Sequence, residues 1–340
     1  MPPLISIIIL SYESRRYIER CLDSVFAQSY PSLEVLFIIN GNHDGSAELV
    51  SEKYGARENL TIIDPRENLW FSRGNNLGIA RSRGKYVLTL NQDTILMPDT
   101  VAALVAALEA DSSLGSVSGK LLHYNYELDS KTRILDSTGI EIFKTHRVID
   151  RGQWEQDRGQ YDRDLEIFGA SGAAAMYRRS SLEQTKIPKK SGGYEYFDEN
   201  FIAYKEDVDL AWRLQLAGFG CRYVPEAIIY HGRTVGRSWP TQFIRFIINR
   251  RRQSRIVRQL SYKNHYLMVV KNFVPLVFWL NFPFFLIREI LLTIYTVLFE
   301  PFQVMALKNF FRELPDTLRK HRFVRQMIRI DPVKSRKIFH

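Results

Sequence analysis

The chain has 340 residues, 45% of them hydrophobic, and a net charge of +10, enough apolar material for one sizeable core and an appendage. Its two cysteines, Cys21 and Cys221, lie far apart in apolar stretches without a nearby histidine, which excludes a disulfide scaffold and reads as reduced core thiols in a protein working in the cytosol. Residues 241–340 carry 19 Lys+Arg against 5 Asp+Glu, and residues 1–240 carry 28 against 32, so the basicity belongs to the tail and suits an anionic membrane surface better than nucleic acid.

Residues 4–10 form a nearly continuous β-branched run, as a buried parallel strand does, and are too few for the core of a signal segment. Ser14 is placed to cap a helix whose apolar positions Tyr17, Ile18, Cys21, Leu22, Val25 and Phe26 share one face. Tyr30-Pro31 ends it. A second strand over 34–39, a turn over 40–45 and a helix over 46–54 follow. A third strand is expected over 59–63, a helix over 73–83 and a fourth strand over 85–90. This order predicts an α/β fold, a parallel sheet with helices on both faces and ligands at the carboxyl ends of its strands.

Residues 111–165 carry no decisive signal. The small, apolar stretch 167–177 reads either as a floor beneath a bound substrate or as tight core packing. A helix over 206–217, closed by Gly218, leads to a last strand over 222–230 that delivers His231. Residues 1–240 are expected to form the catalytic domain and 241–340 a basic, apolar helical tail. That tail opens with Arg245, Arg250, Arg251, Arg252, Arg255 and Arg258, then runs uncharged over 273–287 until Arg288-Glu289. Fifteen residues fall short of the roughly 20 that span a bilayer, and Pro275 and Pro283 break a simple helix. A helical hairpin or in-plane amphipathic helices are therefore expected, with a soluble cap on the core as the alternative.

Three segments could carry chemistry. Asn91-Gln92-Asp93 ends a strand with a carboxylate that can hold a divalent cation across two phosphates, or simply cap the next turn. Glu206, Asp207 and Asp209 crowd a helix start behind an aromatic-rich loop (Tyr194, Tyr196, Phe197, Phe201, Tyr204). The helix dipole stabilises such charges, and a carboxylate in an apolar pocket can serve as a general base. His231 opens a loop with Arg233 and Arg237, suited to a metal or an anion.

In this order the segments resemble glycosyltransferase family 2, the inverting enzymes of GT-A fold. The nearest subgroup is the rhamnosyltransferase-like enzymes of bacterial cell-surface polysaccharide synthesis. The resemblance rests on Ile5-Ser6-Ile7-Ile8-Ile9-Leu10-Ser11-Tyr12, Cys21-Leu22-Asp23-Ser24-Val25-Phe26, Asn68-Leu69-Trp70-Phe71-Ser72-Arg73-Gly74-Asn75-Asn76, Asn91-Gln92-Asp93, Phe197-Asp198-Glu199-Asn200, Glu206-Asp207-Val208-Asp209, Arg213 and His231, and covers about residues 4–238. It implies a Rossmann-like, mostly parallel sheet flanked by helices, and metal-dependent transfer from a dTDP- or UDP-sugar, rhamnose among the sugars, to a lipid-linked saccharide. The place implied is the cytoplasmic face of a bacterial inner membrane, as a peripheral or monotopic protein.

By the resemblance Asp207 would be the catalytic base, with Glu206, Gly172 and Ala173 lining the acceptor pocket. Asp93 and His231 would hold Mg²⁺ or Mn²⁺, and Ser11, Asn40, Arg73, Asn76 and Asn91 would lie near the donor. Two positions depart from the family pattern. Ile39 stands where an acid normally contacts the nucleotide base, leaving that contact to Asn40 or relaxing base choice, and Trp70 replaces a commonly small residue. A nucleotidyltransferase would carry a Gly-rich basic loop after the first strand, and Ser11-Tyr12-Glu13-Ser14 is not one. The remaining alternative is a catalytically impaired nucleotide-sugar-binding membrane scaffold.

Overall fold

The computed structural model describes residues 1–41, 43–232, 250, 253–331 and 339. Asn42, the loop arginines Arg233 and Arg237, and Arg245, Arg251 and Arg252 of the basic stretch lie outside the described residues.

Strand and helix alternate from the start: β1 (Ile5–Ser11), α1 (Ile18–Phe26), β2 (Leu33–Ile39), α2 (Ser46–Tyr54), β3 (Leu60–Ile63), α3 (Trp70–Arg81), β4 (Tyr86–Asn91). The first three strands and β4 pair in parallel in the order β3-β2-β1-β4. Ile5, Ile7, Val35, Phe37, Tyr86 and Leu88 are fully buried within the core beneath them. Continuous apolar runs become interior strands because both faces of a parallel sheet are covered. One expected detail is different: α1 starts at Ile18 without a side-chain cap. The Ser14 hydroxyl pairs instead with Ser11 Oγ at 2.6 Å, and its carbonyl accepts the first N–H groups of the turn.

β5 (Thr94–Leu96) and α4 (Thr100–Ala110) lead into the stretch that had no decisive signal, which supplies much of the second half-sheet as β6 (Leu114–Asn125), β7 (Ser130–Ser137), β8 (Ile140–Ile142) and β9 (Val148–Asp150), with β10 (Glu166–Ile167) just after it. Then come β11 (Ala174–Arg178), α5 (Arg179–Thr185), β12 (Ile187–Pro188), β13 (Tyr194–Glu195), α6 (Glu206–Leu216) and β14 (Gly220–His231). The sheet continues from β4 through β11 to β6 and β14. β11 runs antiparallel to both neighbours, while β6 and β14 are parallel to one another. Because β11 is reversed, its amino end lies at the edge where β1, β4 and β14 have their carboxyl ends. That reversal places Gly172-Ala173 beside Asn91.

The tail folds as α7 (Arg255–Lys271), α8 (Pro275–Phe299) and α9 (Val304–Met327). The expected break in α8 is absent: 25 residues run as one helix with Pro283 inside it. Arg288-Glu289 does not interrupt it either, because both side chains turn toward α7. Arg288 reaches His265 Nε2 at 3.0 Å and Glu289 accepts from the Tyr266 hydroxyl. Val277 and Asn281 are buried, whereas Trp279, Ile287, Leu291, Val297 and Leu298 are more than 60% exposed. Two of the tail's arginines also point inward, Arg250 and Arg258 pairing with buried Glu300 at 2.6 and 3.1 Å.

Candidate active site

An open cleft with about 660 Å³ of empty space lies at the carboxyl edge of the sheet, lined by Leu10, Tyr12, Tyr17, Asn40, Asn91, Gln92, Asp93 and Gly232. Strand pairing builds its floor. β5 returns antiparallel along β14 so that Thr94 faces His231, and Gly232 N donates to Asp93 O at 2.9 Å. Residues 138 apart in sequence thereby meet, with His231 Nε2 3.4 Å from Asp93 Oδ1.

The other ring nitrogen, Nδ1, lies 2.7 Å from Asp136 Oδ2. Asp136 is fully buried and sits at a register shift in the β6–β7 ladder, where Leu121 faces Ser137 but Leu122 faces Leu135. The extra residue of such a bulge re-aims its side chain. Sequence reasoning missed Asp136; the only hint is an acid inside an otherwise strand-like run, Ile134-Leu135-Asp136. Burial alone would push the His231 pKa down, but Asp93 and Asp136 outweigh it and raise it to about 10. Burial likewise works against the Asp93 charge, and His231 holds that carboxyl below its ordinary value.

The start of α6 reaches the same edge of the sheet through Gly172. Asp207 Oδ2 accepts from Gly172 N at 3.1 Å and Oδ1 from Val208 N at 2.8 Å. A Cβ at Gly172 would lie 3.1 Å from Asp207 Oδ2 and 3.3 Å from its Cβ, so any larger residue would push against the Asp207 side chain. The adjacent Ala173 carbonyl accepts from Asn91 N at 2.9 Å. Two consecutive backbone links thus tie the Asn91-Gln92-Asp93 turn to Asp207.

Burial, then Asp150, push the Asp207 pKa up, against the Val208 N–H, Lys205 and the Gly172 N–H. Glu206 is buried, and its Oε2 has no partner among the described residues. Desolvation and Asp207 raise its pKa to about 8. The arrangement offers a basic carboxylate held by two donors, beside a carboxyl kept neutral near pH 7.

The remaining sequence candidates fall in different places. Asn40 and Asn91 line the cleft, and the Asn40 carboxamide oxygen accepts from Leu69 N at 2.6 Å. Ser11 is fully buried against Ser14. Arg73 is exposed and pairs with Glu67 at 3.1 Å. Asn76 is buried, its carboxamide joined to the main chain of Tyr196 and Phe197. Tyr12 and Gln92 were missed as cleft residues. The Gln92 carboxamide brackets the Tyr12 main chain with two bonds of 2.6 Å.

Residues 6–185, more than half of the chain, match Glycosyl transferase family 2. The chain belongs to that family. Poly-beta-1,6-N-acetyl-D-glucosamine synthase of Staphylococcus aureus (strain COL) is 26% identical over 243 residues, 69% of this chain and 52% of that protein. The Staphylococcus epidermidis synthase is 24% identical over 241 residues, 69% and 52% respectively. The chain therefore spans about half the length of the curated relatives it matches. Among solved structures, S. aureus TarS 1-349 in complex with UDP-GlcNAc superposes with a TM-score of 0.56 at 15% identity, over 98% of this chain and 89% of that one. GalNAc-T7 with UDP, GalNAc and Mn²⁺ gives a TM-score of 0.58 at 13% identity, over 79% and 48%. These similarities show the GT-A fold, and the family makes this glycosyltransferase's cleft the candidate donor site.

A divalent cation fits that cleft. Asp93 supplies a carboxylate oxygen, His231 Nε2 faces it and would give up its proton to an incoming ion, and Asp136 orients the imidazole from behind, as carboxylates do for metal-binding histidines. Among the described residues no group of three or more His, Cys, Asp and Glu could hold a metal. Such a pair suits an ion that completes its shell with substrate phosphates.

Proposed function

We propose that this family 2 glycosyltransferase moves a sugar from a pyrimidine nucleotide diphosphate, a UDP- or dTDP-sugar, to a saccharide acceptor with inversion, in cell-surface polysaccharide synthesis. The observation that carries the reading is the pair of backbone links, Asn91 N to Ala173 O and Gly172 N to Asp207 Oδ2, which couple a phosphate-and-metal turn to a basic carboxylate. Asp207 removes the proton from an acceptor hydroxyl as that oxygen attacks the anomeric carbon and the bond to the diphosphate breaks. Asp93 and His231 would hold Mg²⁺ or Mn²⁺, which when bound offsets the charge of the departing diphosphate. Asp136 keeps His231 aimed at Asp93, and Tyr12 and Asn40 form the wall available to the nucleotide.

The acceptor in this reading is lipid-linked and the protein works at the cytoplasmic membrane face. The support is α8, about 37 Å long at 1.5 Å per residue, whose most apolar 18-residue stretch has a mean hydropathy of 1.8 and is 6% buried. Its charged pair faces α7 while an apolar face looks outward, the pattern of a helix lying on a bilayer with one side against protein.

The test is a donor panel with Mn²⁺ or Mg²⁺ that includes UDP-GlcNAc, the ligand bound in the TarS structure, and dTDP-rhamnose, which the sequence resemblance favours. Turnover of one donor with release of the nucleoside diphosphate is expected. Binding of UDP without turnover of any donor, with or without lipid-linked saccharides, would favour the impaired scaffold.

A further inference from the structure

The segment that leads into Glu206-Asp207 is conformationally costly. Ile202, Tyr204 and Lys205 have φ of +66°, +71° and +74°, and left-handed backbone at a β-branched or bulky residue persists only where surroundings over-determine it. Here the surroundings come from α3, whose Ser72 N–H donates to the Ile202 carbonyl at 3.2 Å, and from the tail. The Nδ2 of Asn264, in α7, donates to the carbonyls of Phe201, Ala203 and Tyr204 at 2.8, 2.9 and 2.8 Å. Asn264 is fully buried, and its Oδ1 has no partner among the described residues. Three carbonyls converging on one side-chain nitrogen identify it as the amide end of the carboxamide. The neighbouring Lys263 Nζ takes the Asn200 carbonyl at 2.9 Å and Glu313 of α9 at 2.7 Å.

The same helix also grips the other side of Asp207. Lys271 pairs with Asp209 at 2.8 Å and with Asp198, and Asn272 Nδ2 donates to Asp209 Oδ1 at 2.8 Å. Asp209 in turn holds Arg213 at 3.1 Å. Lys320 of α9 closes the cluster onto Glu195 and Asp198 at 2.5 Å each. The proposed base therefore sits between two clamps, one on the carbonyls before it and one on the acid after it. Both are mounted on α7, outside the 6–185 segment that matches the family.

We infer that Asn264 is a positioning residue for Asp207: by holding the 201–205 carbonyls it sets the left-handed entry to α6 and hence the direction of the carboxylate. The inference rests on the reading of Asp207 as the base. A relaxed entry leaves the metal-facing side of the donor cleft in place, because Asp93, His231 and Asp136 are carried by strands that Asn264 does not touch.

The experiment compares full-length Asn264→Ala with Met268→Ala, which empties a buried position on the same helix and is expected to cost at least as much in Tm. Hydrogen exchange should quicken at residues 201–207 in Asn264→Ala and stay at the wild-type rate there in Met268→Ala. With the donor that the panel turns over, Asn264→Ala should lose at least tenfold in kcat while the Kd for UDP with Mn²⁺ stays within twofold. Met268→Ala should keep its kcat. Wild-type exchange over 201–207 or wild-type kcat in Asn264→Ala overturns the inference, as does an equal kcat loss in Met268→Ala. If Asn264→Ala does not fold, Asn264→Ser, whose single hydroxyl cannot serve three carbonyls, is read by the same criteria. Asp207→Asn separates the two levels: wild-type turnover in it would sink the base assignment itself, whereas a dead Asp207→Asn beside an unaffected Asn264→Ala would sink only the positioning role.

Discussion

The two walls of the cleft are held in different ways. Asp93, His231 and Asp136 stand on β-strands or next to them, and hydrogen-bonded ladders fix their separation. Glu206 and Asp207 stand at the start of a helix whose entry is strained and whose supports come from α7 and α9. A sheet edge is rigid because each strand is pinned by its neighbours, so the donor wall needs little else. The other wall leans on a second layer of helices, which the tail supplies.

Substitutions can test that contrast. The largest effect is expected for Asp207→Asn, with kcat down by at least about 10³-fold, on the order of 4 kcal/mol of barrier, and UDP affinity unchanged by calorimetry. On the opposite wall, His231→Ala should lower donor turnover about 10²-fold and also weaken Mn²⁺-dependent UDP binding, so that the two walls separate cleanly into kcat and binding defects. Asp136→Asn leaves the ladder in place but loosens His231. It should cost about tenfold in Mn²⁺ affinity, in keeping with carboxylates that orient metal-binding histidines, as read by titration of UDP binding against Mn²⁺.

A smaller effect is expected at Glu206. Its pKa is raised from 4.5 to about 8, so the folded protein keeps a proton that the unfolded chain releases. Stability therefore falls as pH rises from about 4.5 to about 8 and levels above that. Glu206→Gln should show a Tm advantage over wild type that grows by a few degrees across this window. A constant difference from pH 5 to pH 9 would mean that Glu206 is not buried as a neutral acid. Least affected in turnover should be Ile287→Glu with Leu291→Glu on the outward face of α8: flotation with anionic vesicles is lost, while kcat in detergent stays within twofold.

The comparison of α4 with α8 shows where reading from sequence reaches its end. Both are apolar helices of little charge. α4 buries Val101, Leu104 and Leu108 against the sheet, whereas α8 turns Ile287, Leu291 and Leu298 outward. Composition does not say which apolar surface has a protein partner. Nor did it foresee that Pro283 would sit within an unbroken helix, because neighbours and packing decide whether one lost hydrogen bond ends it.

By itself the sequence determined the alternation of β1 to β4 with their helices, the family resemblance, and the acids at the ends of β4 and at the start of α6. These are local matters: periodicity, caps and strand-end residues are written within a dozen neighbours. Only the tertiary structure decided that β11 is reversed and brings Gly172 to Asp207, that a bulge aims Asp136 at His231, and that Asn264 holds the loop before the proposed base. Each depends on pairings between residues far apart in the chain, where hydrogen-bond geometry and burial select one partner among many and no local pattern records the choice.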